Sequence, residues 1–212
     1  SLDHGILMPL GSLDYSYYSD LESNQVRNVI NMSEASLVLR FAYREKFVEG
    51  DKGRISLGSE YPVTRLVFTS GLKGVIESDF SYYKLTAKVD DNIPLPPFGY
   101  TYLAVEAGKV WGSVPYPLLH VHQGNESYFY DYASFNMMNY YEFVSDQYAS
   151  LFVVHHFDGF FLDKIPLLRK LKWREVASLR AVYGGLSESN RQLLVSPDEI
   201  GSLSAKPYVE TG

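Results

Sequence analysis

The chain has 212 residues, a net charge of −6 and a pI near 5.4, with 18 Tyr, 12 Phe, 2 Trp and no Cys. The acidic balance argues against a nucleic-acid partner, and the missing cysteine excludes a disulfide framework and thiolate metal sites. No apolar run reaches the roughly 20 residues that a membrane-spanning helix needs, and the length suits one large all-β unit or two small domains.

Apolar and polar residues alternate in repeated segments, the pattern of strands with two unlike faces. It predicts strands at 7–18, 36–45, 61–70, 80–90, 99–111, 148–161 and 174–183, with no helical period of convincing length. In 36–45, Leu37, Leu39, Phe41 and Tyr43 share one face, and Arg40 and Arg44 lie on the other with Val38 and Ala42. The alternation is clearest in 80–90, where Tyr83, Leu85, Ala87 and Val89 oppose Lys84, Thr86, Lys88 and Asp90. In 99–111, Leu103, Val105 and Ala107 oppose Glu106 and Gly108. In 174–183, Ala177, Leu179, Ala181 and Tyr183 oppose Ser178 and Arg180. The 148–161 segment is apolar on both faces.

The connections differ in kind. Residues 19–35, 113–147 and 184–206 are long and polar, 91–98 is a short proline-rich turn, and 162–173 is compact, basic and apolar. Gly71 and Gly74 around Leu72–Lys73 read as a hairpin turn. Taken in order, 19–35, 71–79, 113–147 and 184–206 fall on one side of the strands. The 46–60, 91–98 and 162–173 connections fall on the other, with 46–60 longer than a short-turn side requires. Long loops on one side, short turns on the other and tyrosines near strand ends are the texture of a transmembrane β-barrel. A soluble β-sandwich also alternates its faces. The two are told apart by Leu37, Leu39, Phe41, Leu85, Val89 and Leu179, which a barrel turns to lipid and a sandwich buries.

Few residues suggest chemistry. His120 and His122 form an H-x-H pair that could share a metal on a strand, with Glu126 or a residue from elsewhere as third ligand, but no longer zinc motif accompanies them. His155 and His156 are adjacent and face opposite ways, and no G-x-S-x-G elbow supplies a nucleophile. Lys164, Arg169, Lys170 and Lys172, with Ile165, Leu167, Leu168, Leu171 and Trp173, form a short basic amphipathic segment. Such a segment rests on an anionic membrane surface or serves as a solvated turn.

The string PYPLLHVHQGNESYFYD, continued by MMNYYEFVSDQYASL and HHFDGFFLDKIPLLRKLKWRE, closely resembles a Bacteroidota outer-membrane family of unknown function, the carboxypeptidase-regulatory-like domain proteins. LRFAYREKFVEGDKGRISLGSEYPV and LAVEAGKVWGSVPYPLL fit the same family, and the resemblance covers roughly 36–210. It implies a carboxy-terminal barrel, with a small soluble β-sandwich domain before it and further strands after it. Residues 1–212 are then a single, incomplete piece of barrel wall. That barrel in turn resembles the surface-antigen barrels that include the assembly factor BamA, in which a long loop enters the lumen. There an Arg-Gly-aromatic loop tip meets an aspartate on the wall. This chain has Ser127–Tyr128–Phe129 at the tip and Arg180 on the wall strand, so arginine and aspartate are both missing. The pair is expected to be inverted, with Glu126 or Asp131 of the loop meeting Arg180. The expectation is an all-β, antiparallel transmembrane β-barrel fragment in the bacterial outer membrane. It is non-enzymatic, without cofactor, in contact with outer-membrane lipid and envelope proteins, and has a role in assembly or export. The rival is a soluble aromatic-rich module that binds carbohydrate or protein.

Overall fold

A computed structural model describes residues 1–8, 17–18, 26–50, 53–125, 131–193, 200–203 and 206–212. The protein is all-β. Its centre is one antiparallel sheet of eight strands: β1 (Leu2–Leu7), β2 (Ile30–Ala42), β3 (Val63–Gly71), β4 (Tyr82–Pro94), β5 (Tyr100–Trp111), β6 (Gln147–His156), β7 (Val176–Gly185) and β8 (Tyr208–Thr211). Each strand pairs with its neighbours in chain order, so the sheet is a simple meander. Among the described residues β1 and β8 are its two edges, and no ladder joins them.

The predicted strands map onto β2 to β7 with shifted ends. The 36–45 strand begins at Ile30 and stops at Ala42, because Arg44 takes a positive φ of 50° in the turn that follows. Residues 30–35 were expected in a polar loop; they pair with β1, and Ile30 and Met32 join an interior cluster. The 148–161 strand ends at His156, since Asp158 and Gly159 turn with φ of 53° and 84°. The strand expected at 7–18 lies earlier where it is described: β1 ends at Leu7, Tyr17–Tyr18 pair separately with Val26–Arg27, and 9–16 lie outside the described residues. Gly71 and Gly74 do not close a two-residue turn. The chain makes a 3-10 turn at Val75–Glu77 before β4, and this connection covers Ser33, whose Oγ donates to the Val75 carbonyl at 2.9 Å.

Besides β8 (Tyr208–Thr211), three elements escaped the pattern. Two six-residue helices, α1 (Pro166–Leu171) and α2 (Glu188–Leu193), are too short to show a helical period. The 46–60 connection is itself a hairpin, Lys46–Gly50 against Gly53–Gly58, extending β2 and β3 past the sheet. The connections nonetheless fall on the two sides as expected, with 72–81, 112–146 and 186–207 at one end and 43–62, 95–99 and 157–175 at the other.

Alternation sorts the sheet into two faces. The outward face carries an apolar row through Leu39, Leu66, Ala87, Ala107, Ala149 and Tyr183, with Val89, Val105, Leu151 and Ala181 beside it. Leu37, Leu39, Phe41, Leu85, Val89 and Leu179 are between 38% and 58% exposed. The inward face carries Ser36, Thr69, Lys84, Lys88, Glu106, Ser150, Arg180 and Glu210. The arrangement is inverted from that of a water-soluble sheet: apolar side chains face out and polar ones face in. The buried clusters lie inside, where the 112–146 loop packs onto the inner wall. Val114, Tyr116, Leu118, Leu119 and Val144 meet Tyr82 and Val110, and Phe135 and Met138 meet Ala104, Phe152 and Val182. This explains why 148–161 looked apolar on both faces: Phe152 and Val154 face in, under the loop.

Candidate functional site

The candidate site is the seam between the 112–146 loop and the inner wall of β5 to β8. Its floor depends on glycine. A Cβ on Gly108 of β5 would lie 2.4 Å from the Tyr148 ring, so only glycine lets that ring lie flat across the neighbouring strand. Tyr148 then donates to Glu106 Oε1 at 2.6 Å and stacks on His120 of the loop at 3.7 Å with a 14° tilt. The Tyr82 ring lies in the same way over Gly71, with its hydroxyl on Glu34.

His120 and Val121 pair with Ser145 and Val144, closing the loop on itself. His122 follows, its ring 5.1 Å from that of His120, with Nε2 2.8 Å from Ser145 Oγ. Burial pushes the His120 imidazole down to about 4, with Lys84 adding to the effect, and pushes His122 down to about 3, with His120 adding. Both are therefore neutral at pH 7. The Ser145–His122 contact has the reach of a nucleophile and its base, but Ser145 is 0% exposed, so no substrate carbonyl can approach it. Among the described residues no third His, Cys, Asp or Glu gathers with the two histidines to hold a metal. His155 and His156 do face opposite ways: His155 Nδ1 is 2.7 Å from Thr101 Oγ1, and His156 stacks on Tyr100 at 4.6 Å.

Arg180 points inward and is buried. Its Nη1 lies 4.0 Å from Glu210 Oε2 of β8, with the two side chains 3% and 4% exposed. Glu210 also holds the loop, accepting from the backbone N–H of Asn136 at 2.9 Å and of Met137 at 2.8 Å, and from Tyr208 Oη at 2.9 Å. With its amide oxygen turned to the guanidinium, Asn136 accepts from Arg180 Nη1 at 2.9 Å and Nη2 at 3.2 Å. A basic wall residue does meet the loop here, and the carboxylate beside it belongs to β8. Glu126, Ser127, Tyr128 and Phe129 lie outside the described residues. Asp131 is exposed and accepts from the Ala133 N–H at 2.9 Å.

A second tie went unread in the sequence. Asp146 is buried, and its Oδ2 accepts from the Ser187 N–H at 2.7 Å and from Asn190 Nδ2 at 2.8 Å. Asn190 Oδ1 in turn accepts from the Val114 N–H at 2.9 Å, so α2 clamps both ends of the loop. No spacing marks such a pair, because its members lie 44 residues apart.

The basic segment forms a protruding turn at the opposite end. Lys164 Nζ sits 3.9 Å over the Phe160 ring, and Arg174 pairs with Asp163 at 3.1 Å. Leu167, Leu171 and Trp173 are exposed beside Arg169, Lys170 and Lys172.

No curated protein and no solved structure shows detectable similarity to the chain. Residues 16–189 match the C-terminal domain of a family of unknown function (DUF5686), and the chain belongs to that family.

Proposed function

We propose that this chain forms wall of an outer-membrane β-barrel of the surface-antigen type, with the 112–146 loop lodged in its lumen. The role is non-enzymatic, in assembly or export of envelope components. The inverted sheet carries this reading. An apolar outer band across six strands with a polar, loop-filled inner face suits lipid outside and water inside. In water the same band is an exposed apolar patch of a size that soluble monomers avoid. β2 to β7 are 9 to 13 residues long, against about 9–11 for a tilted membrane strand. Phe68, Tyr83, Trp111 and Tyr183 edge the band at the long-loop end, where amphipathic rings suit a membrane interface.

The role in assembly or export is carried by the resemblance to BamA-like barrels and to Bacteroidota outer-membrane proteins, an analogy of fold. Insertase chemistry is not carried over, because the loop-tip arginine and the wall aspartate are absent. The test is membrane fractionation of the full-length protein together with gel mobility before and after boiling. An integral outer-membrane protein with heat-modifiable mobility is expected. A protein that fractionates as soluble and migrates identically in both states would overturn the reading.

A further inference from the structure

We propose that a cleft in the 112–146 loop, at the long-loop end of the sheet, binds a neutral carbohydrate. The cleft is about 730 Å³ and runs between the 121–125 segment and the turn at 139–142, within the roughly 300–1,000 Å³ of small-ligand sites.

One wall presents aromatic rings. Tyr140 and Tyr141 sit at the crest of the 139–142 turn, and Tyr141 is 43% exposed with a φ of 59°. A non-glycine residue in that conformation is strained and persists where its surroundings impose it. Here the Glu142 carboxylate accepts from the Asn139 N–H at 2.8 Å, and Gly201 N–H donates to the Glu142 carbonyl at 2.8 Å. The fold thus fixes a strained turn and spends it on displaying a ring. An exposed tyrosine face packs against the C–H face of a pyranose and leaves its own hydroxyl to hydrogen-bond.

The facing wall is equally fixed. A Cβ on Gly124 would lie 2.2 Å from the Met138 carbonyl, so the segment lies tight against 138–139, and the Asn125 N–H donates to the Phe135 carbonyl at 2.7 Å. Gln123, Asn125 and Asp131 line that side with planar polar groups, the type that exchanges paired hydrogen bonds with vicinal hydroxyls. Ser134 gives an independent sign. It lines the cleft and is 3% exposed, and among the described residues its Oγ has no hydrogen-bond partner. An unmet buried hydroxyl is destabilising, and a ligand hydroxyl or a water it orders would offset that.

Charge selects the ligand class. Among the described residues the lining holds no lysine or arginine, its histidine is the buried His122, and its carboxylate is Asp131. Such a cleft disfavours phosphate and acidic sugars and suits an uncharged, hydroxyl-rich ligand. The inference does not depend on what the outward face of the sheet touches.

The test uses the purified full-length protein in detergent. Neutral hexasaccharides of glucose, galactose, mannose and N-acetylglucosamine are titrated in, and binding is read by calorimetry and saturation-transfer NMR. Saturable binding of at least one is expected. Tyr141→Ala and Gln123→Ala should each weaken it at least about tenfold, or 1.4 kcal/mol. Tyr141→Phe should retain it, and Tyr183→Ala on the outward face should leave it unchanged, with an unaltered β-sheet circular-dichroism spectrum confirming that each variant is folded. No saturable binding of any hexasaccharide, affinity indifferent to Tyr141 and Gln123 in folded variants, or preference for a short peptide over every sugar overturns the proposal. Any of these results leaves the barrel reading standing.

Discussion

His120 and His122 set the first expectation at the scale of single residues. Docked, they titrate near 4 and 3 because burial disfavours the imidazolium; in a detached loop they return to about 6.5. The detached loop then binds more protons than the docked one in the interval between. The docked state keeps its full stability above about pH 6.5 and loses it progressively as pH falls toward 4 and then 3. Limited proteolysis of the loop in detergent should accelerate about tenfold or more between pH 7.5 and pH 5. His120→Asn with His122→Asn should flatten that profile, and a loop cut equally fast at both pH values would exclude the histidines as its ties. Arg180 and Glu210 behave differently, since each is buried beside the other. Glu210→Gln takes away the carboxylate beside the buried guanidinium, and the expected loss is about 3–5 kcal/mol in denaturant unfolding. Arg180→Met combined with Glu210→Met should recover much of that loss, because the cost lies in a buried charge that no opposite charge balances and not in the missing pair.

At the scale of elements, the protruding turn around α1 brings exposed Leu167, Leu171 and Trp173 beside Arg169, Lys170 and Lys172. Charges near an anionic bilayer surface attract in a salt-dependent way. Replacing Lys164, Arg169, Lys170 and Lys172 by Gln should lower retention on phosphatidylglycerol vesicles by about tenfold or more at low salt. Phosphatidylcholine vesicles should show little difference, and equal retention on both would reduce the segment to a solvated turn. The basic character of this turn was plain in the sequence, and its helix was not, because six residues hold less than two periods. The same contrast holds across the chain. Strands whose two faces meet unlike surroundings were legible, as at Leu85 and Lys84. The β6 strand blurred because the loop buries its inner face, and β8 escaped because Tyr208–Thr211 is four residues long. The clefts and ties of the loop were illegible for another reason. Asp146 with Asn190, and Glu210 with Met137, are joined by tertiary packing across 44 and 73 residues, which no local period records.

For the whole molecule, the deciding question is what touches the outward face, and neighbouring residues of one strand can answer it. Leu39 and Val38 are both exposed on β2, at 42% and 56%, and differ in the face they occupy. If water lay on both sides of the sheet, a lysine at either position would be tolerated about equally. With lipid outside, Leu39→Lys should cost about 2–4 kcal/mol near the bilayer midplane, whereas Val38→Lys joins Arg40 and Lys88 on the wet inner wall and should cost little. Leu85→Lys and Thr86→Lys repeat the comparison on β4, where Leu85 opposes Phe68 on the outer face and Thr86 opposes Val67 on the inner. The measurement is the fraction of full-length protein that reaches the heat-modifiable state after refolding into vesicles. Leu39→Lys and Leu85→Lys should fall well below the unmodified protein, while Val38→Lys and Thr86→Lys should match it. Equal behaviour within each pair would mean that lipid does not border the outer band, and the exposed leucines would then need another partner to cover them.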